Sequence, residues 1–115
     1  MDSLEQLKQA QRRFAEDRDW DQFHSPKNLV MALAGEVGEL SECFQWLSEE
    51  KSLTLGKDEL QAVREEAADI LLYLVRLADK LDIDLVQAAR EKILLNAAKY
   101  PVSKARGTAT KYTKL

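Results

Sequence analysis

Residues 25–48 read SPKNLVMALAGEVGELSECFQWLS, and this stretch decides the fold class. Ser25 followed by Pro26 is typical of a helix start, because serine caps the first turn and proline is tolerated at the first helical position. Apolar residues then recur at intervals of three and four, which predicts one amphipathic helix over residues 26–48. The stripe consists of Val30, Leu33, Val37, Leu40, Phe44 and Leu47.

The rest of the sequence has the same helical spacing and no alternating strand pattern. We predict a first helix over 2–17, a third over 58–81, and a fourth that Asp84 caps and that runs to residue 99, before Pro101. The apolar stripe of the third helix consists of Val63, Ala67, Ile70, Leu74, Leu77 and Leu81. Four helices with short connections predict an all-α, antiparallel four-helix bundle. The polar segment 48–58 and the tail after the fourth helix are predicted to be irregular.

Composition limits the class of protein. The 115 residues suffice for one domain, 1–115, of which 98–115 form a basic C-terminal tail. No apolar run approaches the roughly 18 residues that a membrane span needs, and the N-terminus lacks the apolar core of a secretory signal. A cytoplasmic location is therefore expected. Cys43 is the only cysteine, which excludes an intrachain disulfide, and with His24 alone it cannot form an ordinary zinc site.

Charge is unevenly spread along the chain. The net charge is −3, and the last seventeen residues carry five basic side chains and no acid, so that the first 98 residues carry −8. A basic tail can bind nucleic acid, but five charges are sparse and the acidic body would repel a duplex backbone. We therefore expect neither a nucleic-acid nor a membrane partner.

Two pairs of acids lie beside the apolar stripes of the second and third helices. At about 100° per residue, Glu36 lies about 60° and Glu39 about 120° from the stripe of the second helix, on one side of it. On the third helix, Glu66 lies about 40° and Asp69 about 100° from the stripe, with Tyr73 on the same flank. Glu42 falls on the far side of its helix and is expected to be solvated.

Antiparallel packing of these helices would bring the four acids together. Carboxylates in one shielded place repel one another unless a cation joins them, and all-oxygen ligation suits Mg²⁺, Mn²⁺ or Ca²⁺. The alternative is that the acids form a solvated face, since glutamate is a favoured helix residue. Gly35 and Gly38 weaken the helix, which suggests close packing against another backbone or a ligand.

Several motifs resemble one known family. GEVGEL at 35–40 with EEAADIL at 65–71 resembles the paired motif of the MazG-like, all-α nucleoside triphosphate pyrophosphohydrolases, and the likeness is closest to their dCTP pyrophosphatase branch. RDWDQFH at 18–24, FQW at 44–46, KYP at 99–101 and KYT at 111–113 also resemble that branch. The likeness covers nearly the whole chain.

The resemblance implies hydrolysis of a nucleoside triphosphate between the α- and β-phosphates, with dCTP or a related or modified deoxynucleotide as substrate. It implies that Mg²⁺, or Mn²⁺ in its place, is held by the four acids, and that further residues bind the nucleotide. The implied ligands are Glu36, Glu39, Glu66 and Asp69, which are also the catalytic residues. The implied substrate-binding residues are Trp20, His24, Trp46, Tyr73, Lys92, Asn96 and Lys99, with Lys99 where family members often have arginine. Family members form dimers that pair into tetramers and share residues between active sites, so a homo-oligomer is expected.

Two alternatives remain open from the sequence. One is the same fold with another substrate, such as dUTP or phosphoribosyl-ATP. The other is a non-catalytic helical interaction module in which the acids are a solvated face.

Overall fold

Helices form almost all of the regular structure in the computed structural model, which describes residues 3–115. The residues so described contain no β-strand. The all-α class predicted from the sequence is confirmed, and each of the four predicted long helices is present among the described residues. The predicted start of the first helix, at residue 2, lies outside them. The α-helices are α1 Leu4–Asp17, α2 Pro26–Glu42, α3 Glu49–Ser52, α4 Lys57–Leu81, α5 Leu85–Lys99 and α6 Val102–Ala105. Two short 3₁₀ helices span Asp21–Phe23 and Tyr112–Lys114.

The helix starts follow from local chemistry. The hydroxyl of Ser25 accepts a hydrogen bond from the backbone N–H of Asn28 at 3.2 Å, and Pro26 is the first residue of α2, as predicted. The carboxylate of Asp84 accepts from the backbone N–H of Gln87 at 3.0 Å and caps α5. Such caps satisfy backbone N–H groups that have no partner within the helix.

The second helix ends six residues earlier than its apolar spacing predicts. The N–H groups of Cys43 and Phe44 bond to carbonyl groups three residues back, which replaces the helical pattern by tight turns. Ser48 is extended (ψ 161°) and caps the short helix α3, so the chain cannot continue as one helix through it. The segment 48–58 and the tail, predicted to be irregular, contain α3, α6 and the second 3₁₀ helix.

The chain divides into two compact units, a first that ends at Asp82 and a second, Ile83–Leu115. In the first unit, α2 and α1 both pack against α4. The assignment of one domain to 1–115, with 98–115 as its basic tail, stays a prediction. Among the described helices, none is long and apolar enough to cross a membrane.

The buried faces are rotated from the predicted stripes. On α2 the buried residue is Leu29, whereas Val30 and Val37 are 40% and 48% exposed. On α4 the buried residues are Val75, Arg76 and Ala78. Since α4 packs against two helices, its buried face spans both contacts and includes a charged residue.

The two glycines of α2 do not contact a neighbouring element of the described chain. A Cβ atom added at Gly35 or at Gly38 would have no atom within 4 Å. The expectation that Gly35 and Gly38 pack closely against another backbone is therefore wrong within the described part of this chain.

Candidate active site

Three carboxylates from two helices converge in the first unit. Glu36 and Glu39 lie one turn apart on α2, and Glu66 lies on α4, which packs against α2. Each carboxylate contributes one oxygen to a group of three oxygens that all lie within 4.8 Å of one another. We call these three residues the acid cluster. The sequence prediction that acids from these two helices meet is thus matched by three of the four residues.

Two oxygens of the acid cluster are buried without a hydrogen-bond donor. Oε2 of Glu36 and Oε2 of Glu66 are inaccessible to water, and among the described residues no N–H or O–H group donates to either. Buried polar atoms in folded proteins almost always have a partner. This pair of oxygens therefore indicates a partner that the chain itself does not supply.

The carboxylates also affect one another's ionisation. The neighbouring carboxylate of Glu36, burial and the carboxylate of Glu39 together raise the pKa of Glu66 to about 7. Like charges at this separation disfavour full ionisation, because each added negative charge repels the others. A divalent cation would remove that repulsion.

The donor set of the acid cluster fits a hard divalent cation. All of its side-chain donors are carboxylate oxygens, which Mg²⁺, Mn²⁺ and Ca²⁺ prefer. The two buried oxygens without donors provide lone pairs that a cation could engage. The residues present therefore fit a magnesium-type ion.

A cavity of about 350 Å³ adjoins the acid cluster through Glu36, which belongs to both. This volume is within the range of about 300–1,000 Å³ that is typical of small-molecule sites. Asp69 lines the cavity but is not one of the three converging acids. The lining residues come from α1 (Gln11, Phe14 and Ala15), the α1–α2 connection (Trp20 and His24), α2 (Glu36) and α4 (Asp69, Leu72, Tyr73 and Arg76).

Trp20 reaches the cavity through a left-handed turn at the end of α1. The N–H of Trp20 bonds to the carbonyl of Ala15 at 2.9 Å, and the N–H of Asp19 bonds to that of Glu16 at 3.1 Å. This is a Schellman motif with Asp19, at φ 54°, where glycine is usual. The ring of Trp20 then packs edge-to-face on Phe14, with 5.6 Å between centroids.

A second group of charged residues lies beside the same cavity. Arg76 is only 4% exposed and donates to Asp79 at 3.1 Å, to Asp21 at 2.6 Å and to Nδ1 of His24 at 3.1 Å. Asp79 also accepts two hydrogen bonds from Arg12, and Lys80 donates to Asp21. We call this group the salt-bridge network; its members are Arg12, Asp21, Arg76, Asp79 and Lys80.

The structure brings some predicted binding residues to the cavity and not others. Trp20, His24 and Tyr73 line it with two of the predicted acids. Trp46 follows α2, is 88% exposed and does not line this cavity among the described residues. Lys92, Asn96 and Lys99 are exposed on α5, in the second unit, where the ammonium group of Lys99 lies 4.9 Å from the ring centroid of Tyr112.

Five lining residues were not identified as site residues from the sequence: Gln11, Phe14, Ala15, Leu72 and Arg76. The side-chain amide of Gln11 donates to the carbonyl of Leu72 at 2.8 Å and so joins α1 to α4. Arg76 and Leu72 follow Asp69 by seven and three residues, which places them on the same side of α4. That spacing could have identified Leu72 and Arg76 as residues near the site. Nothing in the α1 sequence singles out Gln11.

Several proteins named dCTP pyrophosphatase 1 are similar in sequence along nearly the whole of this chain. It is 46% identical to dCTP pyrophosphatase 1 of Mus musculus, 47% to that of Bos taurus and 44% to that of Homo sapiens. Each comparison covers 98% of this chain and 68% of the relative.

A solved structure is similar in fold as well. The crystal structure of a pyrophosphatase from Archaeoglobus fulgidus is 38% identical, has a TM-score of 0.80, and is matched over 84% of this chain and 91% of its own. The model of the MazG-like family matches residues 32–115. These similarities confirm the predictions of a family member and of a pyrophosphohydrolase enzyme. The chain belongs to the MazG-like family.

Proposed function

We propose that this protein hydrolyses dCTP, or a related or modified deoxynucleoside triphosphate, to the monophosphate and pyrophosphate. Its role is to clean the cytoplasmic nucleotide pool. The observation that carries the proposal is the acid cluster, with two buried oxygens that lack donors, beside a cavity lined by aromatic side chains. The names of the similar proteins support the same substrate class.

The acid cluster would hold Mg²⁺, for which Mn²⁺ can substitute. Glu36, Glu39 and Glu66 supply the converging oxygens, and we propose Asp69, one turn after Glu66 and on the cavity wall, as the fourth ligand. Bound Mg²⁺ supplies positive charge that neutralises the triphosphate and the charge developing on the transferred group.

The side chains of the chain itself bind and orient the nucleotide. A carboxylate oxygen left over from ligation accepts the proton of the attacking water while the bond between the α- and β-phosphates breaks. Trp20 and Tyr73 offer aromatic faces at the cavity on which a base can stack. Their position beside Glu36 orients the triphosphate towards the acid cluster.

Four predicted residues outside the cavity complete this proposal. Lys92, Asn96 and Lys99 lie at intervals of four and three residues, on one face of α5, and supply donors for phosphate or sugar oxygens. Lys99 provides a charge without the two-pronged geometry of arginine. Trp46, with 88% of its surface exposed, provides a second stacking face for the base.

The protein is also proposed to form a homo-oligomer, a dimer that pairs into a tetramer. Only four apolar residues of the described chain are buried, namely Ala15, Leu29, Val75 and Ala78. On α2, Val30 and Val37 form an exposed apolar line with Ala34, at intervals of four and three residues. A second copy that covers this line would enlarge a small core. Light scattering with size-exclusion chromatography measures the assembly directly, and a monomer at micromolar concentration would contradict it.

The test of the activity is a substrate panel with purified protein and Mg²⁺. We expect dCTP or a modified form of it to give the monophosphate and pyrophosphate, separated by ion-exchange chromatography. The panel includes dUTP, phosphoribosyl-ATP and the other common deoxynucleotides. A clear preference for dUTP or phosphoribosyl-ATP would show that the enzyme has a different substrate from the one proposed. No turnover of any triphosphate would favour a non-catalytic helical interaction module.

A further inference from the structure

His24 meets the salt-bridge network through one specific ring nitrogen. Its Nδ1 lies 3.1 Å from Nε of Arg76, which is a donor. An arginine side chain carries five N–H groups and no acceptor, and it stays protonated in proteins. Nδ1 of His24 must therefore be the acceptor and carry no hydrogen. In a neutral imidazole the hydrogen then resides on Nε2.

Arg76 is held so firmly that its donor cannot readily turn away from His24. The guanidinium is buried, and its two terminal nitrogens donate to Asp79 and Asp21. Asp79 is fixed in turn by two hydrogen bonds from Arg12. Each nitrogen of the guanidinium thus has its own acceptor, one on α4 and two on the α1–α2 connection. Such a network preserves the direction of every bond within it.

The charges that face His24 also favour its neutral form. Burial is the largest cause that lowers the pKa of His24. The positive charges of Arg76 and Lys80 lower this pKa further, while Asp21 raises it. A doubly protonated ring would place an N–H group against the N–H group of Arg76. Geometry and charge therefore agree on a neutral ring at neutral pH.

We propose that Arg76 is a positioning residue that holds His24 as the Nε2–H tautomer, so that the ring offers the cavity a single hydrogen-bond donor. His24 lines the cavity together with Trp20 and Tyr73. A single donor selects a ligand atom that accepts, such as a carbonyl oxygen or an unprotonated ring nitrogen of a nucleobase. The identity of this ligand as a nucleotide rests on the proposed function, whereas the tautomer does not.

The first test needs no turnover. His24 is the only histidine of the chain, so a long-range ¹H–¹⁵N correlation spectrum of the metal-free wild-type protein reports one ring. We expect Nε2 to give the shift of a protonated nitrogen and Nδ1 that of an unprotonated one at pH 8. The Nδ1–H tautomer, or a mixture of the two, would overturn the proposal. In Arg76→Gln the spectrum is expected to change towards a mixture; an unchanged spectrum in a folded variant would count against Arg76.

The second test separates the two nitrogens by substitution. In His24→Asn, the amide oxygen can take the place of Nδ1 and accept from Arg76, but the donor at Nε2 is lost. In His24→Gln, the longer amide can place an N–H near the position of Nε2. With dCMP as the probe, we expect the dissociation constant to rise about tenfold in His24→Asn and less in His24→Gln. Equal affinities of wild type and His24→Asn would overturn the donor role.

These experiments distinguish failure of the inference from failure of the proposed function. If no triphosphate is hydrolysed but the Nε2–H tautomer is found, the activity is wrong and the role of Arg76 stands. If dCTP is hydrolysed and the Nδ1–H tautomer is found, the activity stands and the role of Arg76 is wrong.

Discussion

The acid cluster and the salt-bridge network lie beside one cavity and treat charge in opposite ways. In the acid cluster, like charges converge and two buried oxygens lack a donor. In the salt-bridge network, the three nitrogen groups of Arg76 each donate to an acceptor. A satisfied network gives rigidity, and an unsatisfied cluster needs a ligand. The salt-bridge network therefore supports the wall of the cavity, whereas the acid cluster offers atoms that can bind a ligand.

The largest expected effect is on activity, at the acids. Glu39→Gln or Asp69→Asn should lower kcat/KM by at least about a hundredfold, since each removes a charge that the cation or the reacting water needs. Circular dichroism should show an unchanged helical fold. The matched control is Glu42→Gln, at the last residue of α2, which should keep the wild-type rate. Near-wild-type turnover in Glu39→Gln or Asp69→Asn would mean that the metal site has been misassigned.

The next largest effect is on stability, in the salt-bridge network. Asp79→Asn should lower the free energy of unfolding by about 3 kcal/mol, because it leaves Arg76 buried without one of its partners. Chemical denaturation at pH 7 measures this value. A loss below about 1 kcal/mol would show that the network does not behave as a buried unit.

The same variant has a defined pH dependence. The hydrogen bonds from Arg12 hold the pKa of Asp79 below its usual value. A depressed carboxyl pKa stabilises the fold above the unfolded value of about 3.9 and loses that effect as the pH falls through the folded value. The difference between wild type and Asp79→Asn should therefore be largest near pH 7 and smaller at pH 3. A difference that grows on acidification would contradict this assignment.

Substitution of either tryptophan is expected to have an effect of intermediate size on substrate binding. Loss of base stacking costs about 1–3 kcal/mol, so Trp20→Ala and Trp46→Ala should each raise KM for dCTP about tenfold. Only Trp20→Ala should also lower stability, by about 1 kcal/mol, because it loses the contact with Phe14. Thermal unfolding separates the two variants. An unchanged KM in Trp46→Ala would remove that residue from the proposed binding site.

The smallest expected effect is at the exposed edge of the salt-bridge network. Lys80→Met removes one of the two partners of Asp21, whose side chain is 58% exposed and which keeps its bond to Arg76. Exposed ion pairs contribute about 0–1 kcal/mol, so stability should change by less than about 1 kcal/mol. A larger loss in the same denaturation experiment would mean that Lys80 belongs to the buried part of the network.

The helices were predictable from the sequence because their signals are local. Ser25 with Pro26 and Asp84 start helices by capping, and apolar spacing identifies the long helices. The same spacing continues at Phe44 and Leu47, where α2 has already ended, so periodicity alone placed its end too late. Tight backbone turns leave no trace in a pattern of apolar residues.

The convergence of Glu36, Glu39 and Glu66 was predictable because each lies beside the apolar stripe of a helix, and those two helices pack together. Their role as metal ligands stays a prediction. The salt-bridge network was missed, since each of its residues is an ordinary surface type when read singly. Arg76 becomes buried only because Asp21 and Asp79 approach it, and Asp21 comes from a segment 55 residues away in sequence. Pairing of this kind depends on tertiary structure.

The turn at Asp19 has a consequence for how this cavity can change. The position of the ring at residue 20 is set by backbone hydrogen bonds to Ala15 and Glu16, which do not depend on the kind of side chain that follows. The geometry of the aromatic position and its chemistry are therefore encoded at separate residues. Exchanging Trp20 for another ring can therefore change the chemistry of this cavity wall while the turn is preserved.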